Sequence, residues 1–515
     1  MLISGLSFGI IAYSAGEPAA APRVNAEADQ GGAPAKQEFT YIGADSCQSC
    51  HESPNRKKTD FVQLTEWDIW NKYDKHSQAY QVLKWPRAQE MGAALKIDVT
   101  TDKMCLNCHA VNPPKNRREA EFKIEHGVNC EGCHGPASGW TGLHQLASWR
   151  SRTVADKESY GMLEVRDPQK RATMCASCHV GSEAEEKVVT HAMYAVGHPP
   201  LPSLETATFS NDLPRHWRNR RDVPYISEGT DEVKARYNFA QAPFEQSKLL
   251  LLSAAVALRE EMELVKDQLR AEPGHERPEY AQFDCFACHH DLKAMSWRQA
   301  RSGAERPGRP RIRPRPLALG LLAIRQVEPP ATARALEDQL VKAMGKLDLA
   351  CDVRVFGDPR QIEEAADGLS KWSDDLAKQV EKVDLNREAL ARMLQELCVI
   401  ARERTPDYST ARQIAWGMNI IYGEYKVLDP KPAHDGEITR LLSRMERNLE
   451  LRLNTSKDER AKTKTEENKA KDWTKELSKL SDDELKESLQ AISNYDPADF
   501  LTDVNTLSEL LKKRP

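Results

Sequence analysis

The 515-residue sequence predicts a mainly α-helical protein in two parts: a first region with few strands and many turns, then a helical bundle. Three observations carry this expectation. Ten of the 12 cysteines fall between positions 47 and 288, in a stretch with few clear amphipathic periods. From Leu317 onward, apolar residues recur at helical spacing in ATARALEDQLVKAMGKL, REALARMLQELCVIARER and GEITRLLSRMERNLELRL, which gives each helix one apolar stripe to bury against the others. Between the parts, residues 301–316 read RSGAERPGRPRIRPRP, whose six Arg and four Pro resist regular structure.

In chain order, residues 1–35 read as signal or anchor followed by a tether. Leu2 to Ala15 is an apolar run too short for an ordinary membrane-spanning helix. A polar Ala/Pro/Glu stretch follows, as in a secretory signal, although no Lys or Arg precedes the run. An uncleaved N-terminal anchor and a buried helix are the alternatives. The expected location is periplasmic or otherwise exported. Charged residues are 29% of the chain and the formal net charge is -5, so no basic face calls for a nucleic-acid partner.

Residues 36–300 carry the chemistry. Ten cysteines form five CxxC pairs, each followed at once by histidine: Cys47, Cys50, His51; Cys105, Cys108, His109; Cys130, Cys133, His134; Cys175, Cys178, His179; and Cys285, Cys288, His289. Two thiols at this spacing add to the two vinyl groups of one haem, and the next histidine lies under the iron as its proximal ligand. Zinc ribbons also use CxxC pairs but do not require a histidine directly after the second cysteine. A thioredoxin-like motif would occur once, beside a βαβ pattern. The expectation is therefore five covalent haem c groups in a haem-packed multihaem cytochrome c domain. Aromatic residues are only 7% of the chain, which is compatible with porphyrins supplying part of the apolar core. Covalent haem attachment takes place outside the cytoplasm, in agreement with the N-terminal signal. Cys351 and Cys398 stand outside the motifs, as a disulfide or as two buried thiols.

Axial ligation decides between carrier and enzyme, because an iron closed by two ligands passes electrons and an open one binds substrate. Five of the 14 histidines are proximal; eight of the other nine, His76, His126, His144, His191, His198, His216, His275 and His290, lie within the motif-bearing region, and only His434 lies beyond it. That clustering points to distal ligation. His290, next to His289, can reach a neighbouring haem or sit at a solvent edge. His216 and His275, among Pro, Arg and Glu, read as surface or packing residues, with His216 a reserve ligand.

The pieces YIGADSCQSCH, DKHSQAY, CLNCH, GVNCEGCHGP with GLH, and CASCH, from Tyr41 to about His198, resemble the tetrahaem cytochromes that accept electrons from hydroxylamine oxidoreductase. The resemblance implies that His76 closes the fourth haem and His144 the first, and that His198 or His191 closes the third. It also implies an open second haem. This chain departs from that pattern by its fifth motif, by His126, which can close the second haem, and by about 200 further residues.

Three shorter features complete the reading. Thr65 to Trp85 is expected as a helix whose Trp67, Trp70 and Tyr73 pack on a haem face or form an ordinary core stripe. Phe244 to Leu269 reads as a long amphipathic helix bracing the fifth motif. The linker arginines can pair with haem propionates or an acidic partner, or be simply solvated. Residues 317–515 show no ligand cluster and no nucleophile–base signature, and read as a scaffold or docking surface. The expected function is electron transfer between redox partner proteins, in or beside a periplasmic or membrane complex. An oxidoreductase acting on a small nitrogen or sulfur species at one open haem is the second reading, although no CxxCK motif is present. A fixed subunit of a respiratory complex is the third.

Overall fold

A computed structural model describes residues 38–52, 61–237, 244–270, 279–289, 309–312, 317–404, 407–428, 432–449 and 495–513. The protein is mainly helical. Among the described residues the β-structure consists of isolated bridges, Tyr41 with Arg118, Ser182 with Lys187 and Phe283 with Ile312.

The first region is a succession of short helices. The ones that carry or flank the motifs are α1 (Ala44–His51), α2 (Glu66–Tyr73), α3 (Lys103–His109), α4 (Cys130–His134), α5 (Pro168–His179) and α6 (Thr206–Asp212). The single helix expected over Thr65 to Trp85 is broken. α2 ends at Asp74, whose backbone is extended (φ -86°, ψ 126°), and 3₁₀ turns follow at Lys75–Gln78 and Gln81–Lys84. The Asp74 carboxylate accepts from the His76 backbone N–H at 2.9 Å, a local bond that competes with helix continuation.

The second region contains α7 (Glu245–Arg270), α8 (Leu317–Arg325), α9 (Pro330–Asp352), α10 (Pro359–Glu381), α11 (Arg387–Arg404), α12 (Tyr408–Leu428), α13 (Asp435–Asn448) and α14 (Pro497–Lys512). The middle of helix α7 is apolar all round, every residue from Leu249 to Leu258 being buried, while its ends carry the charges expected of an amphipathic helix. A helix of this kind belongs in the middle of a core, and α7 packs on α10, α5, α8, α12 and α6. It therefore does not simply brace the fifth motif. Its leucines share one continuous core with Leu322 and Ile324 of α8, Leu369 of α10, Leu394 of α11 and Ile421 of α12. That core crosses the position of the Pro/Arg-rich linker, and from Phe39 onward the chain belongs to one compact unit.

Polar contacts fix the helices against one another. Arg259 on α7 donates to Thr173 of α5 at 2.6 Å and to Asp374 of α10 at 3.0 Å. The first turn of α7 is capped from a distance: Glu424 of α12 accepts from the N–H groups of Gln246 at 3.0 Å and Ser247 at 2.8 Å. Those N–H groups have no partner within their own helix, and the carboxylate also faces the positive end of the helix dipole. Cys351 of α9 and Cys398 of α11 are both buried and no disulfide joins them, so of the two alternatives the structure has the buried thiols, which act as small core residues.

Glu424→Ala strips this cap and is expected to cost about 1–2 kcal/mol, read as a lower denaturant midpoint at an unchanged m-value. An unchanged midpoint would show that water caps α7 equally well.

Candidate haem centres

Four of the motifs end short helices. In α1, α3, α4 and α5 the two cysteines are three residues apart and the histidine follows, so all three lie near one helix face. Side chains start three of these helices at the required place: Asp102 accepts from the Met104 N–H, Asn129 from the Glu131 N–H, and Asp167 from the Lys170 N–H. The fifth motif forms a 3₁₀ turn at Cys285–Ala287, with the His289 N–H bonded to the Cys285 carbonyl at 2.7 Å. Its cysteines and His289 are exposed. The Cys47 thiol lies close enough to that of Cys130 for each to shift the other's pKa, as do Cys108 and Cys178, so the first motif meets the third and the second meets the fourth.

Glu131, inside the third motif, ties two motifs together. Its carboxylate is buried and accepts from the N–H groups of Ile42 at 3.0 Å, Gly43 at 2.8 Å and Ala137 at 2.8 Å. Ile42 and Gly43 lead into α1, so the first motif is held against the third. Gly135, after His134, adopts φ +82°, and a Cβ there would lie 2.2 Å from the Gly161 carbonyl oxygen. This accounts for glycine in the CHGP piece.

The histidines fall into pairs. The rings of His51 and His144 lie 6.3 Å apart and 15° from parallel. His76 and His179 are also 6.3 Å apart, at 88°, and His191 and His289 are 6.3 Å apart, at 30°. His198 lies within electrostatic reach of His109, which helps to lower its pKa after burial has done most of that. His216 lies likewise near His134, which burial and then His216 hold down to about 4. Burial and His76 also bring His179 to about 4. These two rings are therefore neutral at ordinary pH, with a lone pair free for a metal.

Nδ1 of six of these rings is held from behind. It meets Glu66 at 2.8 Å in His51, Asp74 at 3.0 Å in His76, and the carbonyl of Ala79 at 2.8 Å in His109. In His144, His198 and His216 it meets the carbonyls of Thr141 at 2.5 Å, Pro199 at 2.8 Å and Pro214 at 3.3 Å. Each bond leaves Nε2 as the atom available to a ligand. His126 is arranged differently. Its Nε2 lies 3.4 Å from Asp45, its ring packs edge-on to Trp70, and its Nδ1 is buried without a partner. The structure does not bring His126 beside a proximal histidine. His290 and His275 lie outside the described residues, as do residues 1–37 with the apolar run, and most of the linker. Within the linker, Arg311 pairs with Asp348 at 3.0 Å.

The first four motifs, together with His76, His144, His198 and His216, line one cavity of about 4090 Å³, several times the roughly 300–1,000 Å³ of a single small-ligand site. Trp67, Trp70 and Tyr73 line it too, and so do Leu385, Arg412 and Trp416 from the second region. Arg171 and Arg412 border the cavity with their pKa values pushed down by burial; Glu245, Glu164 and Asp167 lie within electrostatic reach of Arg171, whereas no carboxylate among the described residues pairs with Arg412. Paired imidazoles, a large cavity with apolar walls and a half-buried arginine, Arg412, with no carboxylate partner among the described residues together fit haem with its propionates. Among the described residues no group of three or more His, Cys, Asp or Glu side chains gathers as a bare metal site would need.

Residues 46–135, which hold the first three motifs, match the family described as cytochrome c554 and c-prime. Cytochrome c-554 of Nitrosomonas europaea is 26% identical over 215 residues, which are 39% of this chain and 82% of that protein. The chain is a multihaem c-type cytochrome. No solved structure matches it. The greater part of this cytochrome therefore lies outside the compared segment, and the residues it places on the cavity wall, Leu385, Arg412 and Trp416, carry no sequence signature of haem binding. His216 was visible in the sequence only as a reserve ligand, because PRHW has no motif around it.

Glu131→Ala leaves three N–H groups, two buried and one part-buried, without an acceptor. It is expected to lower the stability of this cytochrome by on the order of 3 kcal/mol or more, measured by chemical denaturation. A loss below about 1 kcal/mol would mean that water replaces the carboxylate.

Proposed function

We propose that this multihaem cytochrome is a pentahaem electron carrier in which every iron is closed by two histidines. His51 pairs with His144, His109 with His198, His134 with His216, His179 with His76, and His289 with His191. The observation that carries the reading is the repeated ring separation of 6.3 Å. Two metal–imidazole bonds of about 2.0 Å, with about 1.1 Å from each nitrogen to its ring centre, give about 6.2 Å between ring centres. Covalently bound haem supplies a one-electron Fe(III)/Fe(II) couple at each motif.

The side chains divide the remaining work. The cysteines tether, the paired Nε2 atoms ligate, and the groups behind Nδ1 set each ring's tautomer and orientation. Glu66 and Asp74 place negative charge behind His51 and His76, which makes those imidazoles stronger donors to the metal. With both axial positions filled, no iron is left open to a substrate, which favours a carrier over an oxidoreductase. The partners are redox proteins outside the cytoplasm. Covalent haem chemistry and the relative named above support an exported location, and no described helix is long and apolar enough to cross a membrane.

Electron paramagnetic resonance of the oxidised protein, with haem quantified, tests this directly. The expected result is five haems per chain, all low-spin. His216→Ala and His198→Ala are each expected to turn one iron high-spin, whereas His126→Ala leaves the spectrum unchanged. A high-spin signal worth one iron in the unmodified protein would overturn the closed set and favour the enzyme reading.

A further inference from the structure

Arg412 stands on α12, in the region that carries no haem motif. Its guanidinium lies over the Trp416 ring at 4.5 Å and the Tyr408 ring at 5.7 Å. Ring contacts use the flat face of a guanidinium and leave its five edge N–H donors unspent. Among the described residues no carboxylate pairs with it. Other arginines of the cavity wall spend their donors: Arg259 on Glu260 and Asp374, Arg166 on Glu164, Arg171 on the Val165 carbonyl and Arg117 on the Phe39 carbonyl. Arg412 is half-buried, and withdrawing a guanidinium from water without a counter-ion is unfavourable, so an anion belongs beside it.

The cavity says which anion. Arg412 and Trp416 line the same space as the motif cysteines. A run of edge-on ring contacts leads from Trp416 to Phe209 of α6 at 5.8 Å and from Phe209 to His179 at 5.1 Å. The fourth motif's proximal imidazole is thus two ring contacts from the ring that carries the guanidinium. We infer that Arg412 binds a propionate carboxylate of the fourth motif's haem and holds that haem's reduction potential up. The planar fork of arginine suits a carboxylate accepting two parallel N–H bonds. The helical region thereby acts on the redox centre itself, through a residue outside every motif. This rests on the haem reading of the motifs given above.

The test is a spectroelectrochemical titration of the full-length holoprotein carrying Arg412→Gln, with haem stoichiometry measured on the same sample. Removing a positive charge beside a propionate disfavours the reduced, less positive iron. One midpoint is expected to fall by about tenfold in its reduction equilibrium, about 59 mV for one electron, while the other four stay in place. Five unmoved midpoints in a fully loaded protein would overturn the role of Arg412. A haem count below five in the unmodified protein would instead overturn the haem reading. If the Gln variant does not accumulate, Arg412→Lys carries the test: it keeps the charge, loses the fork, and is expected to move the same midpoint by a smaller amount. Unmoved midpoints there also reject the role.

Discussion

Six of the imidazoles on or beside the motifs are gripped from behind through Nδ1, two by carboxylates and four by backbone carbonyls. A histidine has two rotatable bonds and two competent nitrogens, so a bare ring bordering a large cavity would have many orientations. The hydrogen bond behind it removes most of them and selects the nitrogen that faces inward. Much of the local irregularity of the first region serves this grip. The break after α2 puts Asp74 against His76, and the 3₁₀ turn at Leu143–Gln145 sets His144 back on Thr141. A long, regular helix through either stretch would bury the ring against its own turn. The strand-poor, turn-rich character of the region follows from how many rings have to be aimed.

The second region supplies what those turns cannot. Short helices around a cavity bury little of one another, and the first region's side-chain clusters are small, such as Tyr80, Leu83, Val99, Leu106 and Ala110. Helix α7 connects this thin-cored region to a thick core. One side meets α5, which bears the fourth motif, and another meets α10. Glu424 and Arg259 then fix its position along and around its axis. The rigidity of the fourth motif is thus borrowed from leucine packing well outside the cavity.

The motif spacing and the apolar periodicity made the broad plan legible from the sequence. The cysteine pairs and their histidines, the long helix from Phe244 and the helices after Leu317 all express local rules, three or four residues at a time. His144 beside His51 and His76 beside His179 were also reachable, through resemblance to a known family. What was not legible depends on contacts distant in sequence. His126 sits four residues from Cys130, yet Gly127, at φ +64°, turns the chain there and leaves the ring against Asp45. His216 is 82 positions after His134, and its neighbours are Pro, Arg and Trp, which serve equally well on a surface. Arg412 looks like any helix arginine until the two aromatic rings and the missing carboxylate are seen together.

The wall containing Leu385, Arg412 and Trp416 is made from chain that is synthesised after every motif. The motif-bearing segments have little side-chain core of their own, and in chain order they precede the wall that covers them. Once α7 and α12 pack, the motif thiols are partly enclosed and the cavity has its last side. The order of elements along the chain thus separates what tethers haem, in the first region, from what closes the cavity around it, in the second.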